Sequence, residues 1–132
     1  MNENGKELKI LSVEDILAAP DIREQIVEVA EWGGSVRIRS FSKKRQQELR
    51  HQAEVPDRGG RRRIDNDKLE MMLFIHGVVE PIFMENHYAQ LREKSAGAMD
   101  RVLKAVMDLS GLRDTAVTEA EATFQGESGE TV

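Results

Sequence analysis

The sequence predicts an α+β domain, mainly helical, in which one N-terminal two-stranded β-hairpin packs on a small bundle of about four to five helices. Residues 25–40, QIVEVAEWGGSVRIRS, alternate apolar and polar side chains on both sides of a Gly-Gly pair, which is typical of a hairpin. Beyond residue 42, apolar residues recur at helical spacing between capping residues and glycine or proline stops. An isolated hairpin is marginally stable in water, so its apolar face must rest on those helices.

The chain before the hairpin contributes one short helix. Residues 1–10 are predicted to be a mobile N-terminus. Ser12–Asp15 forms a capping box that opens a helix through Leu17, and Pro20 follows its end. From residue 11 to residue 112 we expect a single globular domain.

The hairpin is centred on Gly33 and Gly34, which predict a two-residue turn with positive φ at both positions. Pairing outward from this turn places Glu28 opposite Arg39 on the polar face. The other face then carries four apolar side chains, Val27, Val29, Val36 and Ile38. Trp32, beside the turn, either anchors a partner or covers the end of the hairpin, and the sequence leaves both readings open.

Four helical segments are predicted after the hairpin. Ser42 caps a polar helix from Lys43 to about Ala53. The next helix, about Asp67–Val79, is apolar on every side and therefore belongs in the core. A short helix at 86–92 and a helix at 96–109 complete the set. Residues 54–63, EVPDRGGRRR, are predicted to form a loop. Residues 113–132 are predicted to form a weakly helical to disordered acidic tail.

Composition limits the class of protein. The chain has 132 residues, the size of one modest domain. It has no cysteine, which excludes disulfides and thiolate metal sites. The longest apolar run, Met71–Ile75, is too short to span a bilayer, and the N-terminus lacks the pattern of a signal peptide. We therefore expect a soluble cytoplasmic protein without a membrane partner.

Charge is distributed unevenly along this acidic chain. The net charge is −5, yet residues 36–63 carry 10 basic and 3 acidic side chains, a balance of 10 − 3 = +7. An acidic protein with one basic band is not a general nucleic-acid binder by composition. The pattern favours head-to-tail self-association or docking on an acidic partner.

Motifs of catalysis or metal binding are missing. The three histidines, His51, His76 and His87, have no metal-ligand spacing, and His76 on the apolar helix is interpreted as a hydrogen-bonded core residue. The sequence contains no P-loop, no GxGxxG motif and no Ser/His/Asp arrangement. We predict no enzymatic activity, no catalytic residue, no cofactor and no metal ion.

Two basic segments and one aromatic residue are the predicted partner-binding residues. The first turn of the polar helix carries three cations, which oppose the helix dipole and indicate an anionic neighbour inside the protein or on a partner. The loop RGGRRR at 58–63 could hold phosphates, but no aromatic residue interleaves it, so nucleic acid is not the expected partner. The predicted set is Trp32, Lys43, Lys44, Arg45, Arg61, Arg62 and Arg63.

Methionines are the remaining feature of the helices. Met71, Met72, Met84, Met99 and Met107 indicate core filling, the commoner role of this residue, or a plastic groove for partner helices.

Several segments resemble one known family. Leu-Ser-Val-Glu-Asp-Ile-Leu-Ala-Ala at 11–19 is followed by Val-Glu-Val-Ala-Glu-Trp-Gly-Gly-Ser-Val-Arg-Ile-Arg at 27–39 and then by a helix of basic and acidic residues. Gly-Val-Val-Glu-Pro at 77–81, Leu-Arg-Glu-Lys-Ser-Ala at 91–96 and Leu-Ser-Gly-Leu at 109–112 continue the pattern. Together they resemble the tail assembly chaperones of long-tailed (siphovirus-type) phages and related prophages, over about residues 11–124. The chain departs from the family in Ala30, where proline is frequent, and in RGGRRR.

The resemblance implies a non-enzymatic role in virion assembly. Such chaperones coat the long, aggregation-prone tape measure protein, recruit tail tube subunits and leave before the virion is complete. Many members also have a longer form made by ribosomal frameshifting. For this chain it implies the tape measure protein and the tail tube protein as partners, the host bacterial cytoplasm as location, and absence from the mature virion. Two alternatives stay open: a small regulatory or adaptor protein that contacts nucleic acid through loop 58–63, and a head–tail connector component of the virion.

Overall fold

The computed structural model describes residues 8–112, which form a mainly helical α+β fold. Its five α-helices are α1 (Val13–Ala18), α2 (Lys43–Gln52), α3 (Asn66–Gly77), α4 (Tyr88–Leu91) and α5 (Ala96–Leu109). Its five strands are β1 (Glu24–Val29), β2 (Gly34–Arg39), β3 (Glu54–Pro56), β4 (Arg62–Ile64) and β5 (Val78–Glu80). Two short 3-10 helices, Ala30–Trp32 and Glu85–His87, join neighbouring elements. The predicted class, α+β and mainly helical, is confirmed within this range.

Two small antiparallel sheets organise the strands. The first has the order β1-β2-β5, so the hairpin gains a third strand from the segment that follows α3. The second sheet is the β3–β4 hairpin. The sequence analysis predicted only the first hairpin. The other strands are three residues long, too short to show the alternation that marks a strand in a sequence.

The turn between β1 and β2 differs from the predicted two-residue turn. Val29 pairs with Gly34, and Ala30–Trp32 form a 3-10 helix that Gly33 closes by donating its N–H to the Ala30 carbonyl at 3.0 Å. Gly33 has φ +73°, whereas Gly34 belongs to β2 and does not have positive φ. The prediction of positive φ at both glycines is therefore wrong, because the helical turn needs only one left-handed residue at its end.

The strand register is also different from the predicted one. Glu28 lies opposite Ser35, and Arg39 lies opposite Glu24, to which it donates hydrogen bonds of 2.6 and 2.9 Å. The predicted pairing of Glu28 with Arg39 is wrong. The predicted apolar face is correct, because an even shift in register keeps every side chain on its face. All four members are buried: Val27, Val29, Val36 and Ile38.

The core consists of two clusters that share α3. In the first cluster, one side of α3 packs with α5 against the sheet, around Phe74, Ile38 and Val102. In the second, the other side of α3 packs with α2 and the end of α5, around Leu49 and Leu73. The predicted placement of this helix in the core is confirmed by seven buried residues along its length: Leu69, Met71, Met72, Leu73, Phe74, Ile75 and Gly77.

The end of α3 is set by a close approach to α5. A Cβ placed on Gly77 would lie 2.5 Å from Cγ1 of Val106, so only glycine allows the two helices to meet here. The helix ends at Gly77 and the chain continues as β5, two residues earlier than the predicted end at Val79. The helix predicted at 86–92 is a 3-10 turn followed by the four-residue α4, while α5 has its predicted bounds.

The N-terminal segment stands apart from this core. Ser12 caps α1 through the predicted capping box: its Oγ accepts from the N–H of Asp15 at 3.1 Å, and its own N–H donates to the Asp15 carboxylate. Each residue from Leu8 to Ile26 is exposed, including all of α1. Residues 1–7 of the predicted mobile N-terminus and the predicted acidic tail, 113–132, lie outside the described residues.

Candidate partner-binding surfaces

Trp32 covers the end of the first hairpin. Its side chain is half-buried against the first core cluster, and its ring meets that of Phe74 edge to face with centroids 6.4 Å apart. This arrangement favours the structural reading of the residue over a freely exposed anchor. Glu31, its neighbour, accepts hydrogen bonds of 2.6 and 2.7 Å from Arg101 of α5, which fasten the turn to that helix.

The three cations at the start of α2 do not form one exposed patch. Lys43 and Lys44 are exposed, and among the described residues no carboxylate lies within ion-pair distance of either. Arg45 is half-buried, pairs with Glu48 at 3.2 Å, and places Nη2 2.8 Å from Nδ1 of His76. Arg45 therefore differs from Lys43 and Lys44, because its side chain lies against α3.

The Arg-rich segment is a β-hairpin, not the predicted loop. Glu54 pairs with Ile64, Val55 with Arg63 and Pro56 with Arg62. Asp57 fixes the turn, since its Oδ1 accepts from the N–H groups of Gly59 and Arg61, both at 2.9 Å. Gly60 supplies the positive φ, +79°, that the turn requires.

This hairpin displays its arginines in solvent. Three successive side chains of this hairpin are exposed: Arg61, Arg62 and Arg63. No carboxylate of residues 8–112 forms an ion pair with them. The guanidinium of Arg62 donates a hydrogen bond to the Glu54 carbonyl at 3.1 Å. Arg58 on the turn is exposed as well. The structure thus holds four exposed cations on one short hairpin, where their charges attract anions.

A groove opens between α3, α4 and α5, and sequence reasoning did not locate it. We call it the α3–α5 groove; its volume is about 330 Å³. Six apolar or aromatic side chains form its floor: Met71, Phe74, Tyr88, Leu91, Met99 and Leu103. The periodic methionines of α3 and α5 were the available signal, but which of them face a groove depends on how the helices pack.

The rim of the α3–α5 groove carries opposite charges. Asp67, Glu70 and Asp100 contribute carboxylates, and Arg92 and Lys94 contribute cations. Burial raises the pKa of Glu70, and the negative charges of Asp100 and Asp67 raise it further. The rim therefore presents both signs of charge to any segment that lies in the groove.

Three of the five methionines fill the core. Met72 and Met107 are buried in the second core cluster and Met71 in the first, as core filling requires. Met71 also lines the groove with the half-buried Met99, and Met84 is 58% exposed. Because a thioether side chain is unbranched and polarisable, the two groove methionines can adapt to different apolar partners.

The N-terminal arm, residues 8–18, is an exposed apolar surface that was not predicted from the sequence. Its exposed side chains include Ile10 at 90%, Leu17 at 80% and Val13 at 68%, with Leu8, Leu11 and Ile16 above one half. Val13, Ile16 and Leu17 lie on one face of α1, since they follow i, i+3, i+4 spacing. The sequence shows this spacing, but not that the face lacks a partner.

Residues 8–112 contain neither a metal-binding cluster nor a membrane-spanning helix. No group of three or more His, Asp or Glu side chains in this range is placed to bind a metal ion. In the same range no helix combines the length and apolar character of a membrane-crossing segment.

Comparison with known proteins gave no match: no protein-family profile, no curated protein and no solved structure matched this chain.

Proposed function

We propose that this protein is a tail assembly chaperone of a long-tailed phage or prophage. It binds the tape measure protein, keeps it soluble in the host bacterial cytoplasm, recruits tail tube subunits, and leaves before the virion is mature. The motif resemblance suggests the role, and one structural observation carries the mechanism. The α3–α5 groove offers a methionine-containing apolar floor inside a rim with both signs of charge.

The groove supports this function through the chemistry of its client. An aggregation-prone chain exposes apolar segments that must be covered, and a chaperone has to cover segments of different shape. Met71 and Met99 supply adaptable contact area, and Tyr88 supplies a rigid aromatic surface. Charges at the rim select amphipathic client segments and hold them in one orientation.

The test is co-expression with the tape measure protein, measuring how much of it stays soluble and co-purifies. Met99→Glu introduces a charge into the floor, and Tyr88→Ala removes the aromatic ring without adding a charge. Ile82→Glu is the matched control, because Ile82 is 75% exposed and does not line the groove. We expect the two groove variants to lower co-purification about tenfold, while the control keeps it.

Folding of each variant is checked by thermal unfolding before binding is scored. If Tyr88→Ala is folded and still retains the client as well as the parent, the groove is not the client site. Mass spectrometry of purified virions separates the chaperone from a head–tail connector, which would persist in particles.

A regulatory protein that contacts nucleic acid is the second candidate, and the Arg-rich hairpin favours it. Four exposed arginines on one hairpin could contact phosphates. Binding to duplex DNA should then weaken steeply with salt and be lost on changing Arg61, Arg62 and Arg63 to Gln. Absence of binding at low salt would exclude this candidate.

A further inference from the structure

We propose that the N-terminal arm of one copy packs into the α3–α5 groove of a second copy, and that two copies exchange arms reciprocally. The inference rests on the groove described for the proposed function, and it adds that the groove is covered by the protein itself when no client is present. The inference is argued from three observations: an apolar helix that is exposed among the described residues, a groove of matching chemistry, and complementary charges on both.

The arm is built as a helix but lacks a packing partner within its own described chain. α1 has a complete capping box, yet it has six residues and every one is exposed. A helix this short is marginal in water and is normally stabilised by packing of its apolar face. Its face of Val13, Ile16 and Leu17 therefore requires a surface outside the described body of the same copy.

The groove provides such a surface. Its volume of about 330 Å³ is at the lower end of sites that hold a small ligand, which suits a few aliphatic side chains. The floor is apolar, with Met71 and Met99 able to adjust to branched side chains. Helix-in-groove docking uses the i, i+3, i+4 anchors that α1 presents.

Charge supports the second copy as the occupant. The arm carries a cation, Lys9, before α1 and two carboxylates, Glu14 and Asp15, in its first turn. The groove rim presents carboxylates on one set of residues and cations, Arg92 and Lys94, on another. Lys9 pairs with Asp15 at 3.8 Å within the arm, so Glu14 is the arm carboxylate that can meet Arg92 and Lys94 of the rim.

The arm is attached at the end of α5 that lies away from the groove. Arg23 is held to Ser40 by two hydrogen bonds, and the residue after Ser40, Phe41, donates its N–H to Ser110 just after α5. The arm thus joins the body near the C-terminal end of α5. The residues of the same helix that line the groove lie in its first two turns: Ala96, Met99, Asp100 and Leu103.

The exchanged surface is of the size expected for a weak, concentration-dependent dimer. Three aliphatic side chains per arm form the docking face, Val13, Ile16 and Leu17, and they make six in a reciprocal pair. At roughly 60–100 Å² each, they contribute roughly 360–600 Å² of buried arm surface, with a similar area from the two grooves. That total of roughly 700–1,200 Å² lies at the lower end of specific interfaces. Reciprocal exchange also gives a closed two-fold pair.

The experiment measures the mass of the isolated full chain, without client, by sedimentation across a concentration series. The arm variant is Ile16→Asp with Leu17→Asp, which changes only exposed side chains. The rim variant is Arg92→Glu with Lys94→Glu, also exposed. Ile82→Asp is the control, since Ile82 is exposed but belongs to neither surface.

We expect the parent and the control to form a dimer. The dimer dissociation constants of the arm and rim variants should be on the order of tenfold higher. Adding Glu14→Arg to the rim variant should restore part of the association, because opposite charges meet again. A parent that stays monomeric at high concentration, or a dimer that the arm variant leaves unchanged, would overturn the proposal. Client capture is scored in a separate co-expression, so a failure of arm exchange does not count against the proposed function.

Discussion

Arg45 of α2 donates from Nη2 to Nδ1 of His76 of α3 across 2.8 Å. Because an arginine can only donate, Nδ1 is the acceptor and the ring proton of neutral His76 is on Nε2. That nitrogen is buried and has no hydrogen-bond partner among the described residues. Burial lowers the pKa of His76, and the charge of Arg45 lowers it further, while Glu85 opposes them.

The first prediction is a loss of stability below neutral pH. The folded-state pKa of His76 lies below its ordinary value of 6.5, so the unfolded chain takes up the proton first as the pH falls. The contribution of neutral His76 to the free energy of unfolding is complete above pH 6.5. It decreases as the pH falls towards the folded-state pKa. Urea unfolding at several pH values between 7.5 and 5.5 measures it. His76→Gln, which keeps an acceptor for Arg45 but does not titrate, should flatten this dependence; an unchanged slope would contradict the assignment.

The second prediction separates the two glycines of the first turn. Gly33→Ala should lower the free energy of unfolding by about 1–2 kcal/mol, because φ is +73° at that position. Gly34→Ala is the matched control and should change stability by less than about 0.5 kcal/mol, since nothing lies within 4 Å of a Cβ there. Chemical denaturation of both variants measures the difference. Equal losses of unfolding free energy in the two variants would show that both positions need glycine, as a two-residue turn requires.

The third prediction concerns the crossing of α3 and α5. Gly77→Ala should cost about 1–3 kcal/mol, because the added Cβ would lie 2.5 Å from Val106. Gly97→Ala, near the start of α5, should be neutral or stabilise by up to about 1 kcal/mol, since its nearest neighbour, Ser95 Oγ, is 3.8 Å away. Shortening Val106 to Ala in the Gly77→Ala background should recover part of the loss. No recovery would mean that the contact is not the cause.

The fourth prediction concerns Leu73, a buried residue in the middle of α3. Leu73 is 1% exposed in the second cluster, so Leu73→Ala should cost about 2–5 kcal/mol. A loss below about 1 kcal/mol would show that α3 is not central. Thermal and chemical unfolding of the same variant provide two independent measurements.

The fifth prediction distinguishes the cations of α2. Lys43→Glu with Lys44→Glu should leave stability within about 0.5 kcal/mol or raise it, because both side chains are exposed and acids suit a helix start. Arg45→Glu should destabilise by about 1–3 kcal/mol, since it removes the contact with His76 and places a carboxylate beside Glu48. Similar effects of both changes would contradict the half-buried placement of Arg45.

Elements with strong local signals were predictable from the sequence. α2 begins at Lys43 after the cap at Ser42, and α5 spans its predicted 96–109, because capping residues and a 3.6-residue period are local features. The apolar face of the first hairpin was predictable for the same reason, as its side chains alternate. Its register was not, since the 3-10 turn at Ala30–Trp32 depends on how Trp32 packs on Phe74.

Features that depend on tertiary packing could not be predicted. β3, β4 and β5 have three residues each, and they become strands only because a neighbour pairs with them. The α3–α5 groove requires three helices to meet, so the sequence could not show that Met71 and Met99 line it whereas Met72 and Met107 do not. The exposure of the N-terminal arm is likewise a property of the fold, because its apolar spacing alone is typical of a buried helix.

The sharing of α3 between two clusters has a consequence for how the domain unfolds. Phe74 belongs to one cluster and Leu73 to the other, so adjacent side chains of one helix tie both together. Neither cluster can come apart while the other keeps its full set of contacts, which makes the loss of structure cooperative. Amide hydrogens of α3 should therefore exchange with solvent only in global opening events, whereas those of α1 exchange through local fraying.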